Sequence, residues 1–397
     1  ISNYEKIVND GYYYVDKTKY IEKLENLPEK RIMFLRPRKF GKTLFTSVLE
    51  YYYDKKRADK FEKLYGNTYI GKNPTKLKNS YSILRFNFSG INTETEETTM
   101  KGFKEKVSIS IDGFAKKYGV KKVYDEIDEV FDDENVDIIY LTTPHNTHYQ
   151  FMKKAIEHGK HLFVEKSITL NSRELDEMIA LAKEKNLILA EAMTIWHMPI
   201  YKELWEIVQS GKLGKMQIMT VNFGSFKEYD MNNRFFNMNL AGGALLDIGV
   251  YALSAVRSFM SKKPNEIVSQ VKFAPTGSDE QATILLKNED QQMATIALSM
   301  HSKQPKRIMI SLEKGYIEVY EFPRGQKATI VDAVTGKQTV IEKGNTENAL
   351  YYEMCDMEEA VRNQDDSHLN LEYTKDVMDI MSQLRKEWKM QYPGEKW

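Results

Sequence analysis

Between residues 136 and 190 short apolar runs alternate with single amphipathic helices, and this alternation limits the fold more than any other feature of the chain. Val136 to Leu141 is rich in β-branched residues and stops at Thr142-Thr143-Pro144. Tyr149 to His158 carries Phe151, Met152, Ala155 and Ile156 on one helical face and ends at Gly159. His161 to Val164 is the next strand. Asn171 then precedes a helix, with Glu174 three residues on as in a capping box and Leu175, Met178, Ile179 and Ala182 as its apolar face. Leu187 to Ala190 reads as a third strand. Strands joined by one helix each must pair in parallel, so a doubly wound α/β sheet is expected here.

Beyond residue 200 the pattern changes. Met216 to Phe226 alternates over a long strand. Seven further strand-like runs lie between Ile267 and Ile341, separated by turn residues such as Asn288-Glu289-Asp290, Gly315, Gly325 and Gly336. Their spacing predicts one large, mostly antiparallel open sheet. Helices are expected at Ala349–Asn363 and Tyr373–Trp388.

Residues 1–113 differ in character. They hold about 22 Lys+Arg against 15 Asp+Glu and are rich in tyrosine, whereas the whole 397-residue chain is balanced at 57 of each sign. This asymmetry fits a nucleotide or nucleic-acid contact, or, as the plainer reading, two pieces of different origin. Residues 31–35 read as a strand, 36–43 (Arg-Pro-Arg-Lys-Phe-Gly-Lys-Thr) as a loop, and 44–53 as a helix. Tyr81 to Phe88 reads as a second strand and Lys101 to Tyr118 as a helix. The single cysteine, Cys355, excludes an internal disulfide and fits a reducing setting. With no signal-peptide pattern and no apolar run of spanning length, the expectation is a cytoplasmic protein without membrane or nucleic-acid partners.

Four stretches carry chemistry in the larger part. Leu141 to His148 sits where a parallel strand gives way to a helix, the edge at which open α/β sheets bind ligands. Val164-Glu165-Lys166-Ser167 also follows a strand, and its lysine can donate to a substrate oxygen; a solvated Glu–Lys pair is the plainer reading. Gly242-Gly243 allows a tight turn, and Asp247 and Tyr251 lie four apart on one helix face. Arg234, Phe235 and Phe236 suit either a substrate wall or packing.

In order, ThrProHisAsnThrHis (143–148), GlyLysHisLeuPheValGluLys (159–166), GluAlaMet (191–193), GlyGlyAlaLeuLeuAspIleGlyValTyr (242–251), LysGlyTyrIleGluVal (314–319) and AsnAlaLeuTyrTyrGluMet (348–354) resemble the glucose–fructose oxidoreductase/inositol dehydrogenase (Gfo/Idh/MocA) family, and within it the dihydrodiol-dehydrogenase-like members. The resemblance runs from about residue 114 to the end. It implies a Rossmann-like half (114–196) and an α/β half (197–397) whose open sheet forms homodimers. It implies NAD or NADP as cofactor, with hydride transfer at a hydroxyl or carbonyl carbon of a sugar, cyclitol or diol. It also implies Lys166, Asp247 and Tyr251 as catalytic residues. Thr142, Thr143, Pro144, His145, Asn146, His148, Glu165 and Lys166 would contact the cofactor, and Arg234 and Trp196 the substrate, with no metal.

Three departures stand out. Ser167 replaces the proline that usually follows the lysine. Met193-Thr194-Ile195-Trp196-His197 replaces the Met-Trp-x-Arg of diol-type relatives. Nothing before Phe114 supplies the Gly-x-Gly-x-x-Gly turn that cradles the pyrophosphate, so cofactor affinity should be weakened. The loop at 36–43, with Tyr13-Tyr14-Val15-Asp16-Lys17-Thr18 upstream, resembles the P-loop of AAA-ATPase-like proteins; the resemblance covers about residues 1–110, within a first domain at 1–113. That resemblance implies phosphate contacts at Gly41, Lys42 and Thr43 and ATP as a second ligand. Arg36 stands where the first P-loop glycine belongs, and no acidic strand end follows. The fold class expected is therefore α/β: an incomplete Rossmann-like parallel sheet and a large open sheet, preceded by a P-loop fragment. The function readings are a dehydrogenase with impaired cofactor binding, an ATP-binding module, or an inactive chimera.

Overall fold

The structure, a computed structural model, describes residues 3–27, 32–33 and 41–396. The chain forms two compact units, Ile1–Glu126 and Ile127–Trp397.

The first unit is helical over its described residues. Helices Tyr4–Asn9, Tyr20–Glu25, Lys42–Tyr53 and Phe61–Tyr65 surround a small core of Tyr4, Ile21, Val48, Tyr52, Phe61 and Tyr65. The strand read at 31–35 and the loop at 36–40 lie almost wholly outside the described residues. Tyr81 to Phe88 forms no strand: a single bridge joins Tyr81 to Asp54, and no neighbouring strand among the described residues pairs with the rest. The helix read at 101–118 runs Glu96–Tyr118, capped by Thr95 and stopped by Gly119 in the left-handed conformation. It crosses position 113 unbroken, so the division expected there falls instead at 126. Its last turn is tied into the first unit, because the Tyr118 hydroxyl donates to Asp54 Oδ1 at 2.8 Å and Lys117 pairs with the same carboxylate.

The second unit contains two sheets. Strands β1 (Ile138–Leu141), β2 (His161–Glu165) and β3 (Leu189–Ala192) form a three-stranded parallel sheet in the order β1-β2-β3. The helix Ser172–Glu184 between β2 and β3 begins as expected, with the Asn171 side chain accepting from Glu174 N at 3.0 Å, and it buries Leu175, Met178 and Ala182. Eight strands make the second sheet: β4 (Met216–Gly224), β5 (Glu266–Phe273), β6 (Asp279–Lys287), β7 (Met293–Ser299), β8 (Gln304–Leu312), β9 (Gly315–Tyr320), β10 (Lys327–Asp332) and β11 (Gln338–Glu342). Their order is β11-β10-β9-β8-β4-β7-β6-β5, antiparallel except for the β4–β7 pair.

The two-residue period of these strands explains why one face is core. Met219, Val221 and Phe223 on β4, Ile296 and Leu298 on β7, and Ile308 and Ile310 on β8 point to the same side and are buried. Helix Val250–Phe259 packs on this face and helix Leu371–Glu387 packs on that helix. Each such aliphatic side chain contributes about 1.5–3 kcal/mol on burial. The stretch Met238–Phe259 has the length and apolarity of a membrane span, but 78% of its most apolar window is buried inside the unit, as befits a core helix.

Candidate active site

Parallel pairing brings two strand ends together. Leu141 is in register with Val164, so the segment after β1 and the segment after β2 emerge side by side at the carboxyl edge. Histidines hold the two segments. His145 Nε2 donates to the Lys166 carbonyl at 2.9 Å, while His148 reaches the Thr143 carbonyl at 2.7 Å and the Ser167 carbonyl at 3.1 Å. The Lys166–Ser167 peptide is cis, and Ser167 Oγ donates to the Leu246 carbonyl at 2.9 Å.

That last bond joins the lysine segment to the opposite wall, built on Gly242-Gly243. Gly243 has φ +141°, and a Cβ there would stand 2.0 Å from Asp279 Oδ1; one on Gly242 would stand 2.7 Å from the Arg234 carbonyl. Both glycines are therefore required by close approach. Asp279, buried at the start of β6, accepts from Leu245 N at 2.6 Å and so caps the helical segment that bears Asp247. Leu245–Gly249 forms a π turn before helix Val250–Phe259, a local widening common at functional sites.

Lys166 lies between these walls. Its ammonium donates to the Asp247 carbonyl at 2.8 Å and to Asp247 Oδ1 at 3.1 Å, and it sits over the Tyr251 ring, 5.0 Å from the centroid. Arg234 Nη1 approaches the same carboxylate at 3.8 Å and its guanidinium stacks on Phe235. A cavity of about 430 Å³ opens here, lined by Thr142, Thr143, Pro144, His145, Glu165, Lys166, Arg234, Phe235, Leu240, Ala241, Gly242 and Asp247. The ammonium, carboxylate and phenol expected together do meet, although Tyr251 lies beside the lysine and does not line the cavity.

Charge follows from the geometry. Burial opposes the Lys166 charge, but Asp247 and then Tyr251 outweigh it and hold the ammonium above its usual pKa. Burial likewise opposes the Asp247 charge, and Lys166 and Arg234 overcome it, keeping the carboxylate below its usual range. Burial raises Tyr251. Burial first, then the Lys166 charge, push His145 down to about 3. Near neutral pH the set is thus an ammonium, a carboxylate, a phenol and a neutral imidazole. Lys166 is a donor able to polarise a substrate carbonyl oxygen or stabilise an alkoxide, and Asp247 keeps it charged and aimed.

Several expected site residues lie elsewhere. Trp196 is fully buried: its indole donates to Ser258 Oγ at 3.1 Å and meets Tyr373 edge to face, so it forms no substrate wall. His148 is a buried tie between segments. Asn146 faces outward and donates to the Asn239 carbonyl at 3.2 Å. Conversely, Leu240 and Ala241 line the cavity without any residue-level signal that singles them out. Glu191, from the GluAlaMet stretch, accepts from Ile168 N at 3.1 Å beneath the lysine segment, and burial raises its carboxyl to about 7. In the first unit a second cavity of about 540 Å³ is lined by Tyr13, Tyr14, Tyr20, Lys17, Gly41 and Lys42 among others, but not by Thr43.

The nicotinamide half of a dinucleotide fits the first of these cavities. Strand-end hydroxyls of Thr142 and Thr143, Pro144, His145 and the Glu165 carboxylate surround it beside the lysine donor. The pyrophosphate half does not fit equally, because β1 is an outer strand of a three-stranded sheet and the second unit has no glycine turn preceding it.

Comparison with known proteins follows the division of the chain. Residues 201–318 match the GFO/IDH/MocA C-terminal domain, and residues 1–184 match a predicted AAA-ATPase family, a match that extends beyond the unit boundary at 126. Trans-1,2-dihydrobenzene-1,2-diol dehydrogenase of Xenopus laevis is 28% identical over 240 residues, covering 60% of this chain and 71% of that protein. An aldose-aldose oxidoreductase from Caulobacter crescentus complexed with glycerol superposes with TM-score 0.64 at 20% identity, over 71% of this chain and 87% of that one. A 3-ketoreductase from Actinomadura kijaniata in complex with NADP and TDP-benzene gives TM-score 0.62 at 18% identity, over 70% and 86%. The structural likenesses show a shared fold; the sequence likenesses run to sugar- and diol-type oxidoreductases at one end and to AAA-ATPase-like proteins at the other.

Proposed function

We propose that residues 127–397 form an NAD(P)-dependent oxidoreductase site for a hydroxyl or carbonyl carbon of a sugar, cyclitol or diol, with dinucleotide affinity weakened by the missing pyrophosphate cradle. The observation that carries this reading is the convergence of Lys166, Asp247 and Tyr251 at the carboxyl edge of a parallel sheet, beside a cavity of ligand size.

A nicotinamide cofactor would supply the hydride chemistry. Thr142, Thr143, Pro144, His145 and Glu165 would hold its nicotinamide end. Lys166 donates to the substrate oxygen and stabilises the negative charge that develops there. Asp247 keeps the ammonium in place. Tyr251, protonated by burial and with its ring against the ammonium, would supply a proton to the lysine. Arg234, at the cavity wall and more than half exposed, would order the substrate's outer hydroxyls. The uncovered face of the eight-stranded sheet, where Val268, Leu285 and Met293 are exposed, is the surface for a homodimer. The single cysteine suits a cytoplasmic location.

A second reading assigns ATP binding to the first unit, favoured by a cavity that joins Gly41 and Lys42 to three tyrosines. Fluorescence titration of the purified chain with NADH, NADPH and ATP separates the two. Saturable nicotinamide binding supports the first reading, and binding of ATP alone refutes it in favour of the second.

A further inference from the structure

Tyr140, on β1 behind the cavity, directs its hydroxyl at two carboxyl groups at once. The oxygen lies 2.7 Å from Glu165 Oε1 and 3.3 Å from Glu353 Oε1. Glu165 lines the cavity. Glu353 comes from helix Ala349–Asn363, is 0% exposed, and keeps its Oε2 buried with no hydrogen-bond partner among the described residues.

A phenol has one proton to give, and the shorter contact, to Glu165, takes it. The longer contact then joins two oxygens. It is attractive only where Glu353 carries a proton and donates it to the Tyr140 oxygen. Two ionised carboxylates flanking one buried phenol would repel each other instead. The groups facing Glu353 are Glu165 and Tyr140 from the parallel sheet and Arg324 from the turn Phe322–Arg324. Burial, and then the Glu165 charge, push Glu353 up to about 8 against the opposing pulls of Arg324 and of the Tyr140 hydroxyl.

We propose that Glu353 is a positioning residue of the site: it stays protonated, donates to Tyr140, and so directs the Tyr140 proton to Glu165, holding that side chain in one orientation at the cavity wall. The consequence reaches the donors. The Glu165 charge is one of the groups that keep the Tyr251 phenol protonated, so Glu353, on a helix whose own side chains line none of the cavity, sets the charge state on its cofactor side. Only the naming of a cofactor side rests on the oxidoreductase reading; the hydrogen bonds among Glu165, Tyr140 and Glu353 stand without it.

Infrared difference spectroscopy of the full chain tests it without cofactor or turnover. At neutral pH the protein should show a protonated-carboxyl C=O band that Glu353→Gln removes. Tyr140→Phe should keep the band and move it to higher frequency, because the acceptor is gone. Glu191 and Asp279 also titrate high and contribute bands that remain in every variant. Should Glu353→Gln disturb folding, labelling wild type and Tyr140→Phe with carbonyl-13C glutamate gives the same answer: the labelled protonated-carboxyl band of Glu353 moves between the two proteins, while that of Glu191, which does not touch Tyr140, stays in place. Superimposable spectra of wild type and a folded Glu353→Gln, or labelled bands identical in wild type and Tyr140→Phe, overturn the proposal. Absence of nicotinamide binding would leave these spectra unchanged, so the two readings fail separately.

Discussion

Removing the Lys166 ammonium should destabilise the second unit by more than lost packing explains. Asp247 has side-chain exposure of 15% and its other cation, Arg234, is 3.8 Å away and 59% exposed. Lys166→Met therefore leaves a buried carboxylate with a weak, solvent-screened partner, a situation that costs about 3–5 kcal/mol. Asp247→Asn costs less, about 1–2 kcal/mol, since the ammonium still donates to the backbone carbonyl at 2.8 Å. The double variant has no orphaned charge, so it should be roughly 2 kcal/mol more stable than the sum of the single changes implies. All four tryptophans belong to the second unit, so urea unfolding followed by tryptophan fluorescence reports on that unit within the full chain. The pH dependence carries a sign. In the native chain the folded Asp247 titrates below its unfolded value, so its contribution is present above the unfolded carboxylate pKa and lost as pH falls through the folded one. In Lys166→Met the penalty should accordingly shrink on acidification, as the orphaned carboxylate protonates. Additivity of the two single variants to within about 0.5 kcal/mol would refute the ion pair as a buried, coupled element.

Other consequences are checked by simpler means. Gly243→Ala forces a Cβ to within 2.0 Å of Asp279 Oδ1 at a φ that side chains avoid; thermal or urea melts should show a loss of roughly 2 kcal/mol or more. Burial raises Glu191 and Asp279 to about 7 and Glu353 to about 8. Raised carboxyl pKa values give stability that is full below the unfolded value and lost as pH rises through the folded one, so urea midpoints should fall between about pH 4 and pH 8 and Asp279→Asn should flatten the slope. Trp196→Phe loses the indole bond to Ser258, at about 0.5–1.5 kcal/mol of stability, and should leave nicotinamide affinity unchanged because the ring is nowhere in the cavity.

Local pattern was legible where one element answers to its own sequence. The β-branched run ending at Leu141, the Asn171 cap and the alternation along β4 follow from period and capping chemistry, and they place Lys166 at a strand end. Legibility fails where partners are distant in sequence. Trp196 follows a strand just as a pocket residue would, and only the packing of Tyr373 and Ser258 shows that it is core. Tyr81 to Phe88 has strand composition, but beyond the Tyr81–Asp54 bridge it finds no strand to pair with among the described residues. Asp279 and Glu353 act on residues 34 and 213 positions away, Leu245 and Tyr140, and no periodicity reveals such contacts. The unit boundary at 126 was hidden because a helix with ordinary amphipathic spacing runs through 113, and only its ties to Asp54 assign it to the first unit.

On the proposed reading the Lys166 cavity holds the nicotinamide half of a dinucleotide, and the second unit offers the pyrophosphate no glycine cradle among its described residues. Fluorescence titration with reduced nicotinamide mononucleotide alongside NADH and NADPH tests it directly. The expected result is saturable binding of all three with Kd values within about threefold of one another, abolished by Lys166→Glu. Failure of the mononucleotide to bind, or undiminished binding by the Lys166→Glu chain, would contradict it.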